Sequence, residues 1–147
     1  MIEGEPDLLR LPLHEKIGKT KVMERNIYTK TKLAGVEPAI TLIAKLVTND
    51  TKVKSGIFGL NDKLELIYTK RIYNTLNNSK IFHILARLEN DVTAVVLFAV
   101  FDKEPFSVSK RFIRKMVSFC EATQISLLDI IFYSPQGSAS LRQQNLL

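Results

Sequence analysis

The sequence predicts an α/β domain in which helices flank a mixed β-sheet, with the elements in the order α-β-β-α-β-α-β. Two stretches, Val92–Phe101 and Leu127–Tyr133, are almost continuously apolar and rich in β-branched or aromatic residues, which is typical of strands covered on both faces. Before and between these stretches, apolar residues recur at helical spacing. Buried strands that alternate with amphipathic helices indicate a sheet packed between helical layers.

The first predicted elements are a helix and a hairpin. Pro38 suits the first turn of a helix, and Thr48-Asn-Asp50 breaks the helical pattern. The apolar positions of this helix are Ile40, Ile43, Leu46 and Val47. Two short apolar stretches follow, Ser55–Leu60 and Leu64–Thr69, and Asn61-Asp-Lys63 between them is a cluster of turn formers. We therefore expect an antiparallel hairpin.

Two further helices accompany the two apolar strands. Asn77-Asn-Ser79 can cap a second helix, which continues to Glu89-Asn-Asp91. After Pro105, a third helix is predicted from about Ser107 to Ala122. Beyond the second apolar strand, a turn leads into a last short polar segment, Ser138–Leu147.

Length and composition limit the class of protein. The chain has 147 residues, of which 46% are hydrophobic and 24% charged, and this balance predicts one ordinary globular domain. The apolar run Val92–Phe101 is about half as long as a membrane-spanning helix. The first seven residues are acidic and lack the apolar stretch of a secretory signal. We therefore expect a cytoplasmic protein that does not associate with a membrane.

Cysteine and histidine are too few and too scattered for a zinc site built from these residues alone. The chain has one cysteine, Cys120, and two histidines, His14 and His83. No two of these residues are separated by a spacing typical of zinc ligands. Cys120 falls on the apolar stripe of the third helix, which predicts packing in the core rather than a nucleophile. His83 lies on the second predicted helix without a Cys, Ser or carboxylate motif beside it. We expect no metal or other cofactor.

The net charge is +6, from 21 basic and 15 acidic side chains, and acidic partners are therefore reasonable candidates. Part of this charge lies in residues 1–33, which show no sustained hydrophobic period and are predicted to be a basic arm ahead of a compact domain at 34–147. The candidate binding residues of the arm are Lys16, Lys19, Lys21 and Arg25. They suit either sequence-independent contacts to phosphates or a solvated edge.

The third predicted helix carries a second basic segment. Its cations recur at i and i+4 on the side opposite Ile113, Met116 and Val117. The candidate binding residues here are Lys103, Lys110, Arg111, Arg114 and Lys115. They are typical either of a surface for phosphates or an acidic protein, or of the solvated face of an amphipathic helix.

Five segments, in matching order and spacing, resemble the motifs of one known family. Leu60–Ile67 is similar to a hairpin motif, LLN-x-x-N-x-(V/L)-(I/L), and Thr75-Leu-Asn77 to a helix start, GTLN. The other three are Thr93–Val96, similar to a VILA strand; Ile125–Ile131, similar to GI-x-LLDHII; and Ser138–Leu141 with Asn145–Leu147, similar to YxSLxExGLL. These motifs belong to the RadC family, the bacterial branch of the JAB/MPN metalloprotease-like superfamily, and the resemblance covers about residues 35–147.

The resemblance implies a zinc site that the sequence does not carry. The family holds zinc with two histidines and an aspartate in H-x-H-P-(x)6-S-x-x-D, which here falls on Leu97, Ala99, Ser107 and Lys110. A shift of one residue moves the histidines to Val96 and Phe98 and the aspartate to Ser109. The family's general base, a glutamate, falls near Val53. Both alignments remove every ligand, and a lysine at the aspartate position would repel a cation.

The resemblance therefore implies a metal-free pseudoenzyme that serves as an interaction or scaffold module. We expect a protein partner, with a DNA-associated assembly as one setting and a homo-oligomer as another. The alternative is a nucleic-acid-binding protein that uses its basic surfaces directly. A third and least favoured hypothesis is a hydrolase with a rearranged site around Asp102, Glu104 and His83.

Overall fold

The computed structural model of the chain describes the backbone of Leu8–Leu11, and residues 31–103 and 106–147 in full. This part of the chain contains three helices and seven strands. In chain order they are β1 (Leu8–Leu11), α1 (Val36–Asn49), β2 (Ser55–Leu60), β3 (Leu66–Ile72), α2 (Asn78–Leu85), β4 (Ala94–Val100), β5 (Phe106–Ser109), α3 (Lys110–Thr123), β6 (Ser126–Ser134) and β7 (Gly137–Ser140). The prediction of a mixed α/β class is confirmed.

Five of these strands form one mixed sheet in the order β3-β2-β4-β6-β7. β2 is antiparallel to β3 and β4, as the predicted hairpin requires, and β7 is antiparallel to β6. β4 and β6 run parallel, with Ala94 beside Ser126 at one end and Val100 beside Tyr133 at the other. Because both partners of β4 are themselves paired on their far sides, the most apolar segment of the chain is the centre of the sheet.

Helices cover both faces of this sheet. On one face, Ile57, Leu97 and Ile130 pack with buried residues of α2 and α3. On the other face, Phe58, Val96 and Phe98 pack with buried residues of α1. Successive residues within β2, and likewise within β4, thus point to opposite layers, since side chains alternate along a strand. The architecture is α1, then the sheet, then α2 with α3.

The helices α2 and α3 lie side by side and run in the same direction. Asn78 Nδ2 donates to the Phe112 carbonyl at 3.4 Å near the start of both helices. Farther along both helices, the rings of Phe82 and Phe119 stack with centroids 4.3 Å apart. The two amino-terminal ends therefore meet at the same end of the layer.

The predicted start of the third helix at Ser107 is wrong by three residues. Phe106–Ser109 instead forms β5, which pairs antiparallel with β1 in a separate two-stranded sheet. Phe106 and Val108 are buried while Ser107 between them is exposed, which is the alternation of a strand. The helix begins only after Ser109, whose hydroxyl accepts the Phe112 N–H at 3.2 Å as an N-cap.

The segment predicted to be a basic arm contributes β1, which pairs with β5, and also joins the domain at Thr31 and Leu33. Leu66 N–H donates to the Thr31 carbonyl at 2.7 Å, and Leu33 N–H donates to Leu64 at 2.9 Å. The Leu33 side chain is buried in the cluster under α1. The candidate binding residues of the arm, Lys16, Lys19, Lys21 and Arg25, lie outside the described residues. Across the described ranges, no helix is both long enough and apolar enough to cross a membrane.

Candidate functional site

A cavity of about 280 Å³ opens where the parallel strands β4 and β6 end, and we call it the strand-end pocket. In open α/β sheets, ligands bind at the carboxyl ends of parallel strands, because the connecting segments diverge there and leave a crevice. The floor of the pocket is formed by Ala99, Phe101 and Phe132, and Ser107–Ser109 of β5 with Phe112 in the first turn of α3 form one wall. The site therefore combines strand ends with the first turn of a helix.

Aromatic rings make the interior of this pocket apolar. The Phe101 ring lies 5.3 Å from the Phe106 ring and 5.6 Å from the Phe132 ring, both in tilted contacts. Of these rings, those of Phe101 and Phe132 line the pocket, and the half-buried Phe112 adds a third ring to the lining. At the rim, the hydroxyls of Thr75 and Ser107 belong to exposed residues. The pocket can thus hold a flat apolar group whose edge meets hydrogen-bonding groups.

The positions onto which the RadC resemblance places the zinc ligands carry side chains unsuited to zinc. Leu97 is fully buried, and Ala99 is 6% exposed at the pocket floor. Neither has a lone pair to offer, and Lys110, the first residue of α3, is cationic. Among the described residues, no group of three or more His, Cys, Asp or Glu side chains could hold a metal ion.

The two alignments of the RadC motif place the histidine positions on different faces of the sheet. In the first alignment, Ala99 and Ser107 both line the strand-end pocket. In the shifted alignment, Val96 and Phe98 lie on the opposite face of the sheet, in the cluster with α1. Val53, near the position of the family's glutamate, is also buried in that cluster. Leu97 and Lys110 do not line the pocket, and Val53 lies across the sheet from it, so neither alignment brings all of its positions to one site.

The cations of the third helix form an exposed surface, as their spacing predicts. Arg111, Arg114 and Lys115 are exposed, Lys110 is half-buried, and Lys103 is exposed in the segment after β4. On the inner side of α3, the buried residues are Ile113, Met116 and Cys120. The first turn of α3 contains no acidic residue. We call these five cations, Lys103, Lys110, Arg111, Arg114 and Lys115, the basic surface.

Two further cations near this site are not evident from the sequence. Lys54 lines the strand-end pocket together with Ser109 and Phe112. It is held there because its carbonyl accepts the Val100 N–H at 2.8 Å and its N–H donates to Ile72 at 2.9 Å. Lys80 is exposed in the first turn of α2. Both cations come from segments far from α3 in sequence, and only the strand pairing and helix packing bring them near.

His83 and Asp102, two residues of the third hypothesis, lie at opposite ends of β4. His83 lines a cavity of about 370 Å³ between α2 and β3. Val92, just before β4, also lines this cavity. Asp102 is exposed beyond the other end of that strand. A strand of seven residues spans about 23 Å. The structure therefore does not bring the two side chains together, and Glu104 lies outside the described residues.

The prediction that Cys120 packs in the core is confirmed. The side chain is 1% exposed on the inner side of α3. Burial raises the pKa of the Cys120 thiol to about 11, because desolvation disfavours the thiolate. The thiol is therefore protonated at neutral pH, and its position is that of an apolar core residue.

Asp129 is a buried carboxylate in β6 whose contacts join the last three segments of the chain. One carboxylate oxygen accepts N–H groups from Ile130 at 2.8 Å and Arg142 at 3.0 Å, and the other accepts the Ser140 hydroxyl. Burial raises the pKa of Asp129, and the hydrogen bonds from Ser140, Arg142 and Ile130 oppose that rise. Because the carboxylate contacts protein donors within the core, its role here is structural.

In comparisons with known proteins, no family model matches the chain and no curated protein matches it either. The resemblance to the RadC family rests on the quoted segments.

Proposed function

We propose that the chain is a non-catalytic interaction module, a RadC-like pseudoenzyme of the JAB/MPN type. One observation carries the proposal: Leu97 and Ala99, at the positions of the two histidines, are packed between the sheet and the α2–α3 layer. A large apolar side chain buried in this way contributes roughly 1.5–3 kcal/mol to folding. In place of a metal ligand, Leu97 thus supplies stability.

The lining of the strand-end pocket also supports a non-catalytic role. Of its described lining residues, Lys54 is the one with an ionisable side chain. The Ser109 hydroxyl is engaged as the N-cap of α3. A hydrolytic site needs a general base or an activated nucleophile in contact with the substrate, and these side chains offer neither arrangement. Binding is the chemistry that this pocket supports best.

Zinc content and peptidase activity of the purified full chain test the proposal. We expect far less than one zinc per chain after dialysis, and no hydrolysis of unfolded or carboxy-terminally extended peptides with or without added zinc. Stoichiometric zinc together with peptide hydrolysis that a chelator abolishes would overturn the proposal.

A second experiment addresses the interaction itself. A protein partner captured from the native cell should rebind the purified chain at a defined stoichiometry in calorimetry. If no protein is captured from the native cell, or if a captured protein does not rebind in calorimetry, the chain is not an interaction module.

A further inference from the structure

We propose that the basic surface and the strand-end pocket together bind single-stranded nucleic acid, with phosphates on the cations and one unstacked base in the pocket. This site is independent of the proposed loss of zinc chemistry. The proposal rests on the positive charge of the basic surface and on the shape of the strand-end pocket, which lie on one side of the molecule.

The positive charge of the described residues is concentrated on this side. The first half of α3 carries four cations and no acidic residue, and the exposed Lys54, Lys80 and Lys103 lie around the same end of the layer. Among the described residues, Asp102 is the acidic neighbour of Lys103, and Glu121 lies near the far end of α3. On the opposite layer, α1 carries Glu37 and Lys45, so its charges balance. A one-sided positive field attracts a polyanion.

The arrangement of these cations suits a polymer with regularly repeated charges. Lys110 and Arg114 form one i, i+4 pair, and Arg111 and Lys115 form the next, each spaced about 6 Å along the axis. Two adjacent rows of long cationic side chains can follow the phosphates of one strand. Such contacts release counterions and give affinity that falls steeply with salt.

The strand-end pocket favours single-stranded over double-stranded nucleic acid. Its volume, about 280 Å³, is below the usual range for drug-sized ligands and suits one planar group. The rings of Phe101 and Phe112 line it, and Thr75 and Ser107 place hydroxyls at its rim. Bases stack on aromatic side chains, but only an unpaired base can leave its neighbours to enter a recess. A duplex would contact the cations and leave the pocket unused.

Fluorescence anisotropy with labelled oligonucleotides tests this proposal on the full chain. The probes are a twelve-nucleotide single strand of mixed sequence and the duplex made from it, each at 50 and 200 mM salt. We expect the single strand to bind at least about tenfold more tightly than the duplex. Its affinity should also fall at least about tenfold between the two salt concentrations.

Two variants separate the phosphate contacts from the base contact. Arg114→Ala with Lys115→Ala should weaken single-strand binding about tenfold or more and lower the salt slope by about 1.4, the value for two lost contacts. Ser107→Phe, at the exposed rim, should fill the pocket and weaken binding of the single strand with the salt slope unchanged. The matched control is Lys45→Ala with Lys63→Ala, which removes two exposed cations from α1 and the β2–β3 turn. It should change affinity less than about twofold.

Several outcomes would overturn the proposal. These are absence of binding at 50 mM salt, equal losses in the control and the α3 variant, or a duplex that binds as well as the single strand. Displacement of the oligonucleotide by a twelve-residue polyglutamate peptide at equal concentration would instead assign the surface to an acidic protein. None of these results changes the zinc and peptidase measurements, so the two proposals can fail separately.

Discussion

The hydroxyl of Ser140 in β7 donates to the carboxylate of Asp129 in β6, and both side chains are buried. This bond ties the edge strand to the sheet interior, since the same carboxylate also accepts the N–H of Arg142. Asp129→Ala should therefore lower the free energy of unfolding by about 3 kcal/mol, because three donors lose their acceptor. Asp129→Asn, which keeps one acceptor oxygen, should cost less than about 1 kcal/mol. Urea unfolding at pH 7 measures both, and equal losses would contradict this role.

The same carboxylate predicts a pH dependence. Burial raises the pKa of Asp129 above 3.8, so the folded state holds this proton to higher pH than the unfolded state does. As pH rises from below 3.8 through the folded pKa, the chain should lose stability relative to Asp129→Asn, and the difference should then level off. Urea unfolding of both proteins from pH 3 to 7 measures it. A chain that gains stability over this window relative to the variant would show that hydrogen bonding outweighs burial.

Gly56 is required by close approach of its neighbours within the sheet. A Cβ at this position would lie 2.6 Å from the Lys70 carbonyl oxygen and would overlap the Phe98 ring. Because backbone cannot move aside cheaply, Gly56→Ala should destabilise the fold by about 2–3 kcal/mol. The comparison is Gly35→Ala, whose added Cβ meets no atom within 4 Å apart from its chain neighbours, so its cost of about 1–3 kcal/mol comes from the backbone angles, φ +97° and ψ 178°. Chemical denaturation measures both variants, and a cost below about 1 kcal/mol for Gly56→Ala would contradict the close approach of Lys70 and Phe98 to this glycine.

The stacked rings of Phe82 and Phe119 should couple α2 to α3. Their planes are 10° apart, and such aromatic pairs contribute about 0.5–1.5 kcal/mol beyond burial. A double-mutant cycle with Phe82→Leu and Phe119→Leu should show a coupling energy in this range. A second cycle with Phe82→Leu and Leu46→Ala, on α1 across the sheet, should be additive within about 0.5 kcal/mol. Coupling of the same size in both cycles would count against direct helix contact.

Single histidine substitutions at Leu97 and Ala99, where the RadC resemblance places the zinc ligands, test whether these positions belong to the core. Leu97→His should destabilise the chain by about 3 kcal/mol or more, because it puts a polar ring into a fully buried apolar site. Ala99→His should cost about 1–2 kcal/mol, since that ring can enter the adjacent pocket. Thermal and urea unfolding provide the comparison. If Leu97→His folds as stably as the unchanged chain, the packing interpretation fails.

The long elements of the fold could be predicted because each has a strong local signal. The apolar run around Leu97 extends over the whole of β4, and the helical spacing around Met116 extends over several turns of α3. In both elements most of the residues that the pattern predicts to be buried are buried in the structure. The short strands could not be predicted in this way. Gly137–Ser140 is polar in composition, and its burial depends on partners in β6 such as Ile131. Likewise, Phe106–Ser109 becomes a strand through β1, almost 100 residues away.

The candidate site was partly predictable for the same reason. Arg114 and Lys115 lie on one helix, so their common exposure follows from helical periodicity. The strand-end pocket depends on segments that meet only in three dimensions. Lys54 and Thr75 reach it because the β2–β3 hairpin and the start of α2 come to the end of β4. No motif in the sequence surrounds Lys54, and the Thr75-Leu-Asn77 segment indicates a helix start rather than a pocket.

The parallel pairing of β4 with β6 also matters during synthesis. β4 is made before β5, α3 and β6, yet it is apolar on both faces and uses β6 to complete its hydrogen bonding. A nascent or truncated chain that stops before Ser126 would present this strand as an unsatisfied apolar edge, the kind of segment that seeds aggregation. The strand that makes the finished core stable is thus a hazard to the unfinished chain.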